Sequence, residues 1–237
     1  MTQLSVNINK VALLRNARGG NIPDLVQFAV DCQEFGAQGI TVHPRPDERH
    51  IRYADLSPLR EAVRVEFNIE GFPSEHFLEK VLAIQPDQCT LVPDPPGVLT
   101  SDTGWDMWGN LEFLQQTVHK IQGAGIRTSL FCNPILRDVE GAKETGTDRI
   151  EFYTGQYASQ FEENKEEAIA PHIAAGIRAA ELGIEVNAGH DLNLKNLQFY
   201  AKNMPMLKEV SIGQALIADA LYYGIANTIQ MYRRLLV

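Results

Sequence analysis

The sequence contains little cysteine and no long apolar run. Its three cysteines, at positions 32, 89 and 132, are scattered and odd in number, which offers neither a disulfide framework nor a CxxC metal pattern. No stretch approaches the roughly 20 apolar residues that a membrane-spanning helix needs. The first ten residues, MTQLSVNINK, lack the basic segment and the apolar core of a secretory signal. These absences predict a cytoplasmic protein without a membrane partner.

Positive charge is also scarce. There are 21 lysines and arginines against 30 aspartates and glutamates, a formal net charge of -9. A protein that binds nucleic acid without sequence preference needs a basic face, so we expect no nucleic-acid partner. A local cationic pocket remains possible, because the nearest groups set the field in a site. The segment HPRPDERH, residues 43–50, is the first candidate for such a pocket.

Eight short β-like runs recur along the 237 residues, with starts about 30 residues apart, which is the span of one βα unit. Three of the helix-to-strand joints contain glycine in a similar setting: EFGAQGITV, IQGAGIRTS and ELGIEVN. This recurrence predicts an α/β fold, a (β/α)8 TIM barrel forming a single domain over 1–237 with extra helices. An open, doubly wound sheet is the alternative. The runs are LSVNIN, GITVH, RVEFNIE, QCTLVP, IRTSLF, RIEFYTG, IEVNAGH and EVSIG.

Helical segments lie between these runs. Pro171 is expected to kink or divide the helix that contains it. One last helix is expected over about 216–236. His76, His119 and His172 lie in helical segments, so we expect them at the surface.

Alternation along the strands sorts their side chains into two faces. In RVEFNIE the apolar residues share one face, while Asn68 and Glu70 share the other. The apolar face must pack on the helices, so the polar face is expected inside the barrel. The same rule places Thr41, His43 and Glu151 inside. Such a polar interior has to be hydrogen-bonded throughout.

Barrel enzymes carry their active sites at the carboxyl ends of the strands. His43, Glu70 and His190 fall at three of these ends, and two imidazoles with a carboxylate suit general acid and base catalysis near neutral pH. Phosphate is commonly bound after strands seven and eight, where NAGHDLN and SIGQAL lie. A metal site made of His43, His50 and His190 is the alternative. The first strand, however, reads NIN where barrel metallohydrolases usually have HxH.

Seven motifs in order along nearly the whole chain give it a clear resemblance. They are VNINKVALLRNARGG, GAQGITVHPRPDERHI, EFNIEG, CTLVPD, IEFYTG, VNAGHDLN and VSIGQAL. With these motifs the chain resembles the pyridoxine 5'-phosphate synthase family, which are cofactor-free barrel enzymes. That family condenses 1-deoxy-D-xylulose 5-phosphate with 3-amino-2-oxopropyl phosphate to pyridoxine 5'-phosphate, phosphate and water. It also forms homo-octamers.

The resemblance implies a role for each matching residue. His43 and Glu70 would accept protons and His190 would donate one, with neither a metal nor an organic cofactor. The implied phosphate contacts are Asn7 and Arg18 for the aminoketone, Arg45, His50 and Thr100 for the deoxyxylulose, and Gly213 at the second phosphate site.

The chain departs from the family pattern at binding positions. Asn9 and Lys10 stand where many members have an Asp-His pair, Asp191 stands where many have glycine, and Gln214 where many have histidine. Neither Lys10 nor Gln214 can relay protons as histidine does, so we expect altered affinity before lost chemistry. Two other functions stay open: a different phosphosugar lyase or isomerase, and a non-catalytic protein that binds a B6 precursor.

Overall fold

The computed structural model describes residues 1–94, 101–204 and 206–237. Its eight strands are parallel and pair in chain order, and β1 pairs with β8, so the sheet closes into a barrel. The (β/α)8 prediction is therefore confirmed, and the open sheet is excluded. The strands are β1 Gln3–Asn7, β2 Gly39–Val42, β3 Glu66–Gly71, β4 Gln88–Leu91, β5 Arg127–Cys132, β6 Arg149–Tyr153, β7 Glu185–Gly189 and β8 Leu207–Ile212.

Eleven α-helices surround the barrel in the described part of the chain, and a short 3-10 helix, Tyr53–Asp55, precedes the third of them. None of these helices is both long and apolar enough to cross a membrane. They are α1 Asn9–Asn16, α2 Leu25–Glu34, α3 Leu56–Ala62, α4 Glu75–Ile84, α5 Leu111–Gln122, α6 Leu136–Thr145, α7 Gly155–Gln160, α8 Lys165–Glu181, α9 Leu197–Asn203, α10 Gln214–Tyr223 and α11 Ile225–Arg234.

One helix prediction is wrong, and for another helix the structure excludes one of the two predicted alternatives. The expected last helix is two helices, because Gly224 adopts a φ of 75° and ends α10 before α11 begins. Pro171 does not divide its helix, since α8 continues through it for 17 residues. Burial of the α8 face that contains Ala168, Ala175 and Ala179 supplies packing energy that offsets the hydrogen bond lost at the proline.

The apolar core lies between the strands and the helices. Val6, Ile40 and Phe67 point outward from their strands and are fully buried against this layer. His172 also lies here, and its Nδ1 is 2.8 Å from the Tyr200 hydroxyl. The expected surface position of His172 is therefore wrong, because a hydrogen bond with the Tyr200 hydroxyl offsets the cost of burying the imidazole.

Polar side chains from neighbouring strands form a hydrogen-bonded chain inside the barrel. The hydroxyls of Ser5 and Thr41 are 2.7 Å apart. Asn68 donates to the Thr41 hydroxyl at 3.4 Å and accepts from the Thr90 hydroxyl at 3.1 Å. All four residues are buried, so this chain confirms that the polar faces of these strands point inward.

Ion pairs close the opposite end of the barrel, where the strands begin. Arg127 pairs with Glu66, and Arg149 Nε donates to Glu185 at 2.8 Å. Gln88 accepts from Arg127 Nε at 2.9 Å. Charged and polar pairs thus fill the end of the barrel where the strands begin. Polar side chains therefore lie at both ends of the barrel interior.

The buried Asn68 gives a stability test of this interior. Asn68→Leu keeps the side-chain size but removes the acceptor of the Thr90 hydroxyl and the donor to Thr41. We expect the free energy of unfolding to fall by about 2 kcal/mol, since an unpaired buried polar group costs about 1–3 kcal/mol. Urea unfolding measures it. The matched control is Asn203→Leu at the end of α9, where a single bond to the Phe199 carbonyl is lost; equal losses in the two variants would contradict the prediction.

Candidate active site

A cavity of about 410 Å³ opens at the carboxyl ends of the strands. Every strand contributes a lining side chain from its last three residues or from the residue that follows it, as expected for a barrel active site. His43, Glu70 and His190 all line it. The contributions, in strand order, are Asn7, His43, Glu70, Thr90, Phe131, Glu151, His190 and Ser211.

His43 and Glu70 form a buried pair in this cavity. Nδ1 of His43 lies 3.9 Å from Oε2 of Glu70, and Asn7 Nδ2 donates to the same oxygen at 3.5 Å. Burial lowers the pKa of His43 well below 6.5, and the nearby cation Arg45 adds to the shift. Burial raises the pKa of Glu70 well above 4.5, and repulsion from Glu151 adds to it. Near neutral pH the imidazole is therefore uncharged and ready to accept a proton.

The loop after β2 brings cationic and hydrogen-bonding groups to one side of the cavity. Arg45 Nη2 is 2.9 Å from Asp94 Oδ2, and the Ser101 hydroxyl donates to the same carboxylate. Arg45 and Ser101 both line the cavity. Asp94 thus holds a buried guanidinium in a fixed place, which is the arrangement that binding an anion of fixed geometry requires.

His50 and Arg49 complete this side of the cavity. Nδ1 of His50 accepts from the Ile51 amide at 2.9 Å, so Nε2 is the nitrogen that carries hydrogen in the neutral ring. Burial lowers the pKa of His50 to about 4, and neighbouring cations add to this shift. Arg49 lines the cavity as well, and its Nη1 pairs with Asp47 Oδ2 at 3.3 Å.

Asn9 supports the site from the start of α1. Its Oδ1 accepts from the His43 amide at 2.9 Å, and its own amide donates to Asn7 Oδ1 at 3.1 Å. These bonds connect the ends of β1 and β2, and so they fix the backbone from which His43 projects. Lys10, the next residue, is exposed and lines the cavity rim.

His190 occupies an unusual backbone conformation after β7. Its φ is 85°, a left-handed region that non-glycine residues rarely adopt and that clusters at functional sites. Its Nδ1 lies 2.7 Å from Oδ2 of Asp191, and its ring packs edge-on against Tyr153. Because Asp191 occupies Nδ1, the ring presents Nε2 as its second hydrogen-bonding nitrogen.

Glu151 is a buried carboxyl at the centre of the cavity lining. Burial raises its pKa to about 7, although the neighbouring His190 opposes the shift. Its position explains the glycine at the end of β7. A Cβ on Gly189 would lie 2.5 Å from Glu151 Oε1 and 2.8 Å from the Ser211 carbonyl.

The start of α10 forms another part of the cavity wall, next to the end of β1. Gly213 is the N-cap of this helix and Gln214 its first residue, and both line the cavity. The first amides of a helix lack intrahelical acceptors and favour an anion. A Cβ on Gly213 would be 3.1 Å from the Asn7 Cβ, so glycine lets β1 and this helix start approach closely.

One of the predicted binding residues in the described part of the chain is not among these lining groups. Arg18 is exposed in the segment after α1 and does not line the cavity, so its phosphate contact stays a prediction. Thr100 lies outside the described residues. Sequence reasoning named neither Asp94 nor Ser101 as a site residue, although Asp94 ends the motif CTLVPD. Glu151 could have been found, because strand alternation had already placed it inside the barrel.

Comparison with known proteins settles the family. The profile of the family described as "Pyridoxal phosphate biosynthesis protein PdxJ" matches residues 4–237. The chain belongs to the PdxJ family. Among curated PdxJ relatives, proteins named pyridoxine 5'-phosphate synthase are similar to it. The one from Parabacteroides distasonis is 56% identical over 233 residues and 98% of each chain, and the one from Bacteroides thetaiotaomicron is 56% identical over 236 residues and 100% of each.

Solved structures outside the PdxJ family share the fold. Phosphoribosylanthranilate isomerase from Thermotoga maritima superposes with a TM-score of 0.62 at 14% identity, covering 100% of this chain and 98% of that one. A 4-hydroxy-2-oxoglutarate aldolase gives a TM-score of 0.65 at 17% identity, covering 99% and 94%. At such low identity these similarities concern the barrel alone.

The pKa of Glu151 can be tested directly. We expect one carboxyl of the folded protein to titrate at about pH 7, and Glu151→Gln to remove that titration. Carbon NMR of protein labelled at the glutamate carboxyls measures both. A spectrum in which the variant keeps every titration of the parent would contradict the assignment.

The same shift predicts how stability depends on pH. The folded pKa of about 7 exceeds the ordinary 4.5, so between these values the folded state binds more protons than the unfolded one. The stabilisation from Glu151 is therefore complete below about pH 4.5 and is lost as the pH rises through 7. We expect the free energy of unfolding, relative to Glu151→Gln, to fall by up to about 3 kcal/mol across this window. A difference that is constant from pH 5 to pH 8 would contradict this.

Proposed function

We propose that this chain is a pyridoxine 5'-phosphate synthase. It condenses 1-deoxy-D-xylulose 5-phosphate with 3-amino-2-oxopropyl phosphate in the cytoplasm, and residues 1–237 form one catalytic domain. The observation that supports this is a single cavity, in a PdxJ chain, that combines four proton-carrying side chains with anion-binding groups after β2 and at the start of α10. The four are His43, Glu70, Glu151 and His190.

The β2 loop is the proposed site for the deoxyxylulose phosphate. Arg45 supplies a guanidinium held by Asp94, His50 supplies an Nε2 hydrogen, and Arg49 adds a second guanidinium at the cavity wall. Charge-assisted bonds from arginine to phosphate are strong and directional. Thr100 is proposed to add a hydroxyl.

The start of α10 is the proposed site for the aminoketone phosphate. The amides of its first turn, together with Asn7 and Gln214, favour an anion there. Arg18 is proposed to contact the same phosphate. Two separate phosphate sites, one at the β2 loop and one at the start of α10, let the reacting amine and ketone of the substrates meet within the cavity that the four proton carriers line.

The proton roles follow from protonation state. The neutral His43 accepts a proton. Glu70, whose Oε2 lies 3.9 Å from His43 Nδ1, exchanges protons with the reacting atoms. His190 donates through Nε2 while Asp191, 2.7 Å from Nδ1, holds the ring in place. Imine formation, loss of water, loss of phosphate and ring closure are all steps that proton transfer and charge stabilisation can catalyse. The proposed reaction therefore calls for no added cofactor.

Incubation of the purified protein with both substrates and no added metal tests this function. Formation of pyridoxine 5'-phosphate, which needs both substrates together, supports the synthase. Turnover of one phosphorylated substrate alone would instead indicate a lyase or isomerase. Tight binding without turnover, unchanged by His43→Ala, would indicate a non-catalytic protein that binds a B6 precursor.

Two substitutions separate chemistry from binding. His43→Ala removes the proposed proton acceptor, so we expect kcat to fall by at least about 100-fold with little change in KM, the size typical of general-base loss. Arg45→Lys keeps a charge for Asp94 but loses the guanidinium fork, so we expect mainly a higher KM for the deoxyxylulose phosphate. Steady-state kinetics with each substrate varied in turn measures both. The opposite pattern would reverse the two assignments.

We also propose that the chain acts as a homo-oligomer, and family resemblance implies an octamer. Leu221, Tyr222 and Tyr223 at the end of α10 are exposed, with Tyr222 at 86%. Contiguous exposed apolar side chains of this kind support burial against other copies.

A further inference from the structure

The turn in the segment Arg45–His50 is held by hydrogen bonds from inside and from outside the segment. Inside it, the Glu48 amide donates to the Arg45 carbonyl at 2.9 Å and the Arg49 amide donates to Asp47 Oδ1 at 3.3 Å. Glu48 has a φ of 48°, a left-handed conformation that is strained in a non-glycine residue. The carbonyls of Glu48, Arg49 and His50 follow one another at this turn outside any helix or strand, and each accepts a hydrogen bond from outside the segment.

Asn16, the last residue of α1, supplies these bonds. Its Nδ2 lies 2.8 Å from the His50 carbonyl, 3.0 Å from that of Arg49 and 3.4 Å from that of Glu48. One side-chain amide thus contacts three successive carbonyls of the turn. Two of those residues, Arg49 and His50, line the cavity.

Arg15 fixes the orientation of this amide. Its Nε donates to Asn16 Oδ1 at 3.1 Å, so Nδ2 must face the turn. Arg15 also donates to the His50 carbonyl at 3.2 Å, and it forms a two-pronged pair with Asp55 at 2.7 and 2.9 Å. The arginine side chain is only 4% exposed, so this pair is shielded from water.

The ring of His50 depends on the same backbone. The His50 carbonyl accepts hydrogen bonds from both Asn16 and Arg15, and the ring Nδ1 accepts one from the amide of Ile51, the next residue. A shift of the peptide between 50 and 51 would therefore move the ring and its Nε2. Misplacement by about 1 Å is enough to cost much of a positioned contact.

We propose that Asn16 is a positioning residue for the deoxyxylulose phosphate site, acting through the backbone of His50 with Arg15 and Asp55 as its support. The inference rests on the proposed function, because that function assigns His50 to this phosphate. Asn16 does not itself line the cavity, so it acts on the substrate only through the turn.

Asn16→Leu tests the proposal without adding charge. Calorimetry measures the Kd of 1-deoxy-D-xylulose 5-phosphate, and steady-state kinetics measures kcat and both KM values. We expect the Kd and KM of this substrate to rise about tenfold, with kcat and the KM of the aminoketone phosphate within about twofold of the parent. A purely structural role would lower all activity together and would not separate the two substrates.

Asp55→Asn provides a second variant if Asn16→Leu does not fold. It keeps an acceptor for the Arg52 amide but weakens the pair that holds Arg15. The variant also removes a negative charge, which by itself would strengthen phosphate binding. A higher Kd for the deoxyxylulose phosphate in Asp55→Asn therefore supports positioning. The matched control is Asn203→Leu near the start of β8, at the far end of the barrel, for which we expect unchanged binding.

The outcomes for the two proposals are distinct. If the parent protein forms no pyridoxine 5'-phosphate and does not bind the deoxyxylulose phosphate, the proposed function fails. If the parent is active but Asn16→Leu and Asp55→Asn bind that substrate as the parent does, or lose both substrates equally, only the positioning role is overturned.

Discussion

Burial of ionisable side chains at the carboxyl ends of the strands is the constraint on which the site depends. Removing a charge from water disfavours the charged form, so His43 is held neutral while the carboxyls of Glu70 and Glu151 hold their protons to higher pH. The same shielding from water strengthens electrostatic interactions with a charged substrate. A cavity built in this way can move protons near neutral pH with side chains alone.

The barrel tolerates this burial because its apolar core lies elsewhere. The helices cover the outer faces of the strands, where Val6, Ile40 and Phe67 supply the hydrophobic contacts. The inner faces are therefore released from packing and can carry hydrogen-bonded side chains. Glu70 and His43 lie next to a hydrogen-bonded chain of inward-facing side chains, formed by Ser5, Thr41, Asn68 and Thr90. Stability and chemistry thus use opposite faces of the same strands.

Sequence patterns predicted what local periodicity controls. Alternation placed Asn68, Glu70 and Glu151 inside the barrel, and the order of the strand ends brought His43 and His190 together. These patterns did not predict features that depend on a partner far away in the sequence. Asp94 reaches Arg45 across 49 residues, and Tyr200 makes the burial of His172 possible across 28. Continuation of α8 through Pro171 likewise depends on tertiary packing, which no helix propensity records.

The departures of this chain from the family pattern preserve hydrogen bonds where the site uses them. Asn9 is needed as an acceptor for the His43 amide, and an aspartate at that position would offer an acceptor oxygen in the same way. Asp191 adds a carboxylate 2.7 Å from His190, where a glycine would leave Nδ1 to other partners. Lys10 keeps a cation at the cavity rim. These replacements alter the hydrogen-bond partners of His43 and His190 and leave both histidines in place, so we expect them to change affinity and orientation more than the identity of the reaction.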